Sequence, residues 1–227
     1  MESRSIFTSR IDGVSAPPFA ERNLALHVGD DPVAVRQNRH QLAVHLGIDP
    51  SRLFFMDQVH GVDVLEINES SDASQPRQCD AMITRTPGTG LAVLVADCAP
   101  VIIHGERSSA VIHVGWRGLL GGIIEKVIDL MGQERFTASI GPTICGRCYE
   151  VGDDVLIPAR ERGCVVNQNR LDIPASILAL LSATAGERMI DGKWSGVCTF
   201  ESSEHFSYRR DKVTGRQVGV VVHGSQK

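Results

Sequence analysis

Short apolar runs rich in Val and Ile alternate along this chain with stretches whose apolar residues recur at helical spacing. Leu53 to Met56 and Val62 to Ile67 read as strands. Leu91 to Ala96, Val101 to Ile103 and Ala110 to Val114 are nearly continuous apolar runs, the pattern of strands buried on both faces. Asp30-Asp31-Pro32, then Val33 to Leu46 and Gly47, predicts a helix with acidic residues at its start, proline in the first turn and a glycine stop. Leu119, Ile123, Ile124, Val127, Ile128, Leu130 and Met131 keep helical spacing, so another helix is expected just beyond Gly115-Trp116-Arg117-Gly118. Further helices are expected at Asp153 to Arg162 and Pro174 to Ala185, and a last strand at Gln217 to His223. The polar stretch Asn68 to Gln78 is short enough for a surface loop, and no internal repeat interrupts the pattern. A single domain over residues 1–227 is expected, a layered α/β or α+β sandwich without a regular βαβ rhythm.

Composition narrows the function classes. The formal net charge of −4 argues against a long nucleic-acid partner, which calls for a basic field. Met1 to Phe7 lacks an apolar core of signal-peptide length, and no run approaches the roughly 18 apolar residues of a membrane helix, so a cytoplasmic protein without a membrane partner is expected. Six cysteines, at 79, 98, 145, 148, 164 and 198, are then expected to be reduced thiols.

Three segments set ligand-capable residues at the ends of expected strands: Gln58-Val59-His60-Gly61, Ala96-Asp97-Cys98-Ala99-Pro100 and His113-Val114-Gly115-Trp116-Arg117-Gly118. If His60, Cys98 and His113 converge, two imidazoles and a thiolate make a set known for catalytic zinc with an open fourth position. If they do not, the histidines are hydrogen-bonded residues at the edge of a core and Cys98 a small buried hydrophobe. Spacing alone favours the second reading, since nothing resembles His-Glu-x-x-His. Cys145-x-x-Cys148 lacks a second close ligand pair in sequence and reads as packing or a turn, with Cys79, Cys164 and Cys198 structural. Arg117, ahead of Gly118 and Gly121-Gly122, stands where a helix start and a guanidinium could cradle phosphate, or cap a turn. Tyr208, Arg209 and Arg210 offer stacking and anion contacts, or with Asp211 form a solvated charge cluster.

Taken together, these segments resemble the YfiH-like family, also called the laccase-domain or polyphenol-oxidase-type family and peptidoglycan editing factor. The likeness runs from Thr8-Ser9-Arg10 through Asn23-Leu24, His27 to Pro32, the three ligand-bearing segments, Gly141-Pro142, Cys148 to Gly152 and Cys198-Thr199 to Phe206-Ser207-Tyr208-Arg209-Arg210-Asp211 and Thr214-Gly215-Arg216. It implies an α/β/β/α layered fold related to cysteine-histidine deamidase toxins, with His60, Cys98 and His113 as metal ligands and catalytic residues. Zinc is the implied metal, with copper accepted in vitro. Asn23, Arg117, Tyr208 and Arg209 are the expected substrate-binding residues. The implied activity is purine nucleoside phosphorolysis of adenosine, inosine and S-methyl-5'-thioadenosine, with adenosine deamination as a side activity, in a protein expected to be monomeric. Asp12, Glu21-Arg22 and His205 depart from the family pattern, away from the three ligands.

Other chemistries fit parts of the same set. Cys98 could act as a nucleophile with His60 or His113 as its base. A multicopper oxidase is disfavoured because the chain has only eight histidines and no His-x-His pair. A hydrolase of peptidoglycan precursors could use the same centre, and a zinc-stabilised binding module would hold metal without turnover. Asp97 is a candidate for protonating a leaving base or, equally, an anchor that shapes the turn before Cys98.

Overall fold

The computed structural model describes residues 3–224, so the outermost ends of the 1–227 expectation, including Met1 and Glu2, lie outside the described residues. In chain order the elements are β1 (Arg4–Phe7), α1 (Pro32–Leu46), β2 (Leu53–Phe55), β3 (Val64–Ile67), β4 (Ala81–Thr84), β5 (Gly90–Val95), β6 (Ala99–Gly105), β7 (Ser109–Val114), α2 (Trp116–Gly121), α3 (Ile123–Met131) and β8 (Phe136–Ile140). There follow α4 (Asp153–Glu161), β9 (Val166–Asn167), β10 (Arg170–Leu171), α5 (Ile173–Ala185), β11 (Met189–Trp194), α6 (Tyr208–Asp211) and β12 (Gln217–Val222). Helix α1 begins and ends where its signals lie: the Asp31 side chain accepts from Val33 N–H, Pro32 opens the first turn, and Gly47 closes it at φ 59°.

The strands form a four-stranded sheet, β1-β12-β5-β2, a six-stranded sheet, β11-β8-β6-β7-β4-β3, and a small β9–β10 ribbon. Helix α1 covers the outer face of the first sheet, where Leu42 and Leu46 meet Ala92, Leu94 and Val220. Between the sheets, Leu91, Val93 and Val221 meet Met82, Ile102 and Val111. On the far face Val101, Ile103 and Ile112 pack under Ile124, Val127, Ile177 and Leu181 of α3 and α5. The result is the α/β/β/α order expected. Alternation explains the buried runs: in β7, Ala110, Ile112 and Val114 serve the helical face, while Val111 and His113, on the opposite parity, point to the inter-sheet layer. Each fully buried Val, Leu or Ile contributes about 1.5–3 kcal/mol, so both sheet faces are strongly specified.

Two details differ from the sequence expectation. The helix after β7 starts at Trp116 with Gly115 as its N-cap, inside the Gly-Trp-Arg-Gly segment rather than beyond it. It then breaks at Gly122, which takes φ 90° and separates α2 from α3.

The topology gathers several chain crossings at one end of the sandwich. Strand β2 runs parallel to β5, and β5 leads through Asp97-Cys98 directly into β6 of the other sheet. Likewise β2 leads through the His60-Gly61 turn into β3. At this end Val114 of β7 pairs with Ala99, and Gln217 of β12 pairs with Val95.

Candidate active site

His60, Cys98 and His113 converge at that end, with one ligand atom from each lying within 4.8 Å of the others. The rings of His60 and His113 meet edge-on with centroids 4.7 Å apart. His113 is buried, Cys98 half-buried and His60 exposed, so the cluster opens outward. Gly115 makes the approach possible, because a Cβ there would lie 3.1 Å from Cys98 Sγ and 3.2 Å from His60 Nδ1.

A fully buried carboxylate that the sequence did not flag, Asp80, organises two of the three. Its Oδ1 accepts from His113 Nδ1 at 2.7 Å and from His60 N–H at 3.0 Å. Its Oδ2 accepts from the N–H groups of Gly61 and Val59, at 2.6 and 3.2 Å. His60 itself sits at φ 59°, a left-handed conformation that costs a non-glycine residue about 1–2 kcal/mol and is held here by these bonds. Gln58 fixes the same turn from the other side, exchanging two 2.8 Å hydrogen bonds with the backbone of Leu94.

The electrostatics suit metal ligation. Burial pushes the Cys98 thiol up, yet the His113 and His60 imidazoles beside it bring it down to about 6. Burial alone would lower His113, but the Cys98 thiolate and Asp80 raise it to about 9. Burial would raise Asp80, and the His113 ring together with the surrounding N–H groups holds it below the ordinary carboxylate value. With Nδ1 of His113 committed to Asp80, Nε2 is left toward Cys98, the carboxylate–histidine arrangement that orients metal-binding imidazoles. The donor set therefore fits a zinc or copper ion, with one soft thiolate, two imidazoles and an open side.

These residues form one wall of a cavity of about 480 Å³, within the range of small-molecule sites. Arg117, Arg209, Lys212 and Arg216 line it, against Asp97 as the one lining carboxylate among the described residues. That carboxylate is already occupied: Asp97 accepts from Thr199 Oγ1 and from Arg209 N–H, both at 2.6 Å, while its carbonyl accepts from Thr143 Oγ1 and Ile144 N–H. At φ 86° Asp97 is thus the anchor of the turn that presents Cys98. The cavity is left cationic. Trp116, Tyr149 and Tyr208 supply its aromatic surface.

A family model described as multi-copper polyphenol oxidoreductase laccase matches residues 4–224. A purine nucleoside phosphorylase of Streptomyces griseus is 40% identical over 95% of this chain and 92% of its own length. The Escherichia coli purine nucleoside phosphorylase YfiH is 35% identical over 94% and 91%. The chain belongs to the YfiH-like, laccase-domain family. Its fold matches the crystal structure of the Bacillus licheniformis protein YfiH with a TM-score of 0.89 at 28% identity, covering 97% of this chain and 92% of the other. The Neisseria meningitidis protein NMB0706 matches with a TM-score of 0.84 at 29% identity, covering 99% and 95%.

In this YfiH-like chain the other expected site residues divide. Arg117 reaches the cavity from the first turn of α2, stacked on the Trp116 ring at 4.3 Å; α2 has only six residues, so the guanidinium and not a long helix end supplies its positive charge. Tyr208 and Arg209 also line the cavity, Arg209 braced by Glu150 O at 3.0 Å and by the Tyr149 ring. Arg210 turns away, donating to the carbonyls of Thr199, Ser202 and His205 and pairing with Asp211, so it ties the preceding loop together. Asn23 lies behind the wall instead of in it. Fully buried, it donates to Asp30 Oδ2 and Ala25 O, and its Oδ1 accepts from Arg216 N–H at 2.9 Å, which places Arg216. Asp80 and Tyr149 are the groups sequence reasoning passed over. Burial, with the Cys98 charge nearby, pushes the Tyr149 phenol up to about 12, so it keeps its proton at neutral pH.

Among the described residues no helix is long and apolar enough to cross a membrane. All six cysteines are free thiols, as the sequence predicts.

Proposed function

We propose that this protein is a metal-dependent purine nucleoside phosphorylase acting on adenosine, inosine and S-methyl-5'-thioadenosine, with adenosine deamination as a side activity. The observation that carries the reading is the His60-Cys98-His113 cluster opening into a cavity whose charged lining is almost wholly cationic. Relatives named purine nucleoside phosphorylase at 35–41% identity support it.

Phosphorolysis joins an anion to a neutral nucleoside: a phosphate oxygen bonds to the anomeric carbon as the glycosidic bond breaks, and its electron pair leaves on the purine, which takes up a proton. Arg117 and Arg209, with Lys212 and Arg216, would hold the phosphate by charge-assisted bonds. Tyr208, half-exposed at the rim, and Trp116 offer faces for the base. Tyr149, protonated at neutral pH, can donate a hydrogen bond toward the leaving purine, while Asp97, with Thr199 and Arg209 on its two oxygens, anchors its turn. A zinc or copper ion held by His60, Cys98 and His113 would supply Lewis-acid polarisation beside the reacting groups. Asp80 accepts from His113 Nδ1, which would leave Nε2 to the ion once the ion displaces its proton.

Multicopper chemistry, suggested by the family description, needs a histidine-rich multinuclear cluster. Among the described residues the only other group that could hold a metal, Cys145, Cys148, Cys198 and Glu201, contains no histidine.

The test is product analysis of the purified protein with adenosine or inosine, with and without phosphate, beside a Cys98→Ala control. Ribose 1-phosphate and free base formed only with phosphate and intact Cys98 are expected. No turnover in any mixture would overturn the proposal and favour hydrolysis of a peptidoglycan precursor at the same centre.

A further inference from the structure

Cys148 and Cys198 stand 50 positions apart in the chain, yet the fold closes the gap. The parallel pair β8–β11 ends at Ile140 and Trp194, so the two following loops leave the sheet side by side and pair again through the Thr143–Cys198 bridge. One loop brings Cys145-x-x-Cys148 and the other Cys198-x-x-Glu201, the second ligand pair that the sequence does not show nearby. One ligand atom from each of the four residues lies within 4.8 Å of the others. Tetrahedral zinc with Zn–S bonds of about 2.3 Å sets its sulfurs roughly 3.8 Å apart, so the four atoms need draw in by no more than about 1 Å.

A backbone donor and an apolar wall surround the sulfurs. Cys145 N–H donates to Cys198 Sγ at 3.4 Å. Cys145 and Cys198 are buried with Ile144, flanked by Tyr149 and Trp194, and all three thiols are free. Cys148 Sγ lies 3.4 Å from Glu201 Oε1, so the carboxylate already reaches the fourth corner. Its present partner, Arg147 at 3.3 Å, forms an exposed, solvent-screened ion pair of the kind that contributes little, which a metal readily displaces.

We propose that Cys145, Cys148, Cys198 and Glu201 form a second, structural zinc site, distinct from the His60-Cys98-His113 cluster. Its position gives it a job. Cys198 adjoins Thr199, whose hydroxyl holds Asp97, and Cys148 adjoins Tyr149 in the cavity wall. The ion clips together the two loops that support the turn presenting Cys98.

The site is tested by zinc content and thiol protection in the full-length protein after zinc loading and desalting, independently of any activity. Two zinc ions per chain are expected in the wild type and one in Cys98→Ala, where Cys145, Cys148 and Cys198 resist alkylation until a chelator is added. In the Cys98→Ala background, Cys148→Ser is expected to abolish the remaining equivalent. Glu201→Gln, at an exposed position that should leave folding intact, is expected to weaken zinc retention against a competing chelator at least tenfold. Cobalt in place of zinc should give thiolate-to-metal absorption that survives Cys98→Ala and is lost with Cys148→Ser. A Cys98→Ala protein that retains no zinc while its three thiols alkylate freely would overturn the proposal, as would a disulfide among them in the purified protein.

Discussion

Asp80→Asn changes one oxygen for an amide and nothing in size, yet it strikes both histidines of the centre. The Asp80 carboxylate accepts four hydrogen bonds, two on each oxygen: His60 N–H and His113 Nδ1 on one, Val59 and Gly61 N–H on the other. An asparagine has one acceptor oxygen, so either orientation turns an NH2 group against a pair of donors. If that group faces Val59 and Gly61, two N–H groups lose their acceptor and the left-handed His60 turn loosens. If it faces His113, the ring can keep the bond only by becoming an acceptor at Nδ1, which moves its proton to Nε2 and closes that atom to a metal. Leaving one or two buried donors unsatisfied costs about 1–3 kcal/mol each, so a stability loss of roughly 2–4 kcal/mol is expected in urea unfolding of the metal-free protein. Loss of such an outer carboxylate typically weakens metal binding about 10- to 100-fold, measurable by competition with a chromophoric chelator. A variant that binds zinc as tightly as the wild type would refute the role assigned to Asp80.

In metal-free protein, the alkylation rate of Cys98 is expected to fall with a midpoint near pH 6, because the imidazoles hold the thiol down; His113→Asn should move the midpoint toward the ordinary thiol value of about 8.5, and a wild-type midpoint already near 8 would contradict the assigned electrostatics. Gly115→Ala is expected to cost at least about tenfold in metal affinity while the far-UV circular dichroism stays unchanged, since its Cβ would press on Cys98 Sγ and His60 Nδ1; unaltered affinity would show that the cluster has slack. Arg117→Ala should raise the KM for phosphate roughly 10- to 150-fold, the loss of a charge-assisted contact of about 1.5–3 kcal/mol, with a smaller rise for the nucleoside; equal rises would remove Arg117 from the phosphate subsite.

What was legible in the sequence follows from which signals are local. Helix α1 carries its own cap, proline and glycine stop, and β5, β6 and β7 are apolar enough to be read as doubly buried strands. Strands β1, β4 and β8 were passed over because four or five residues with polar members carry little periodicity of their own; their strand state is set by the ladders they join. Strand β11, Met-Ile-Asp-Gly-Lys-Trp, is a partly exposed edge whose polar residues hide it. The three metal-ligand candidates could be named because each sits in a distinctive segment. Asp80 could not: its partners lie about 20 and 33 residues away, and only the fold brings them together. The pairing of Cys145-x-x-Cys148 with Cys198-x-x-Glu201 was hidden for the same reason, as β8 and β11 meet only through a long helical connection.

The turns bearing His60 and Cys98 are two of the places where the chain leaves one sheet for the other. An ion held by both turns and the end of β7 would act as a rivet through the sandwich. At a free-ion concentration one hundred times its Kd it adds about 2.7 kcal/mol to the folded state. The coupling runs both ways. A substitution at Ile102 or Val111, deep between the sheets and outside the cavity lining, that lets the layers slide would then register at the centre as weaker binding of that ion.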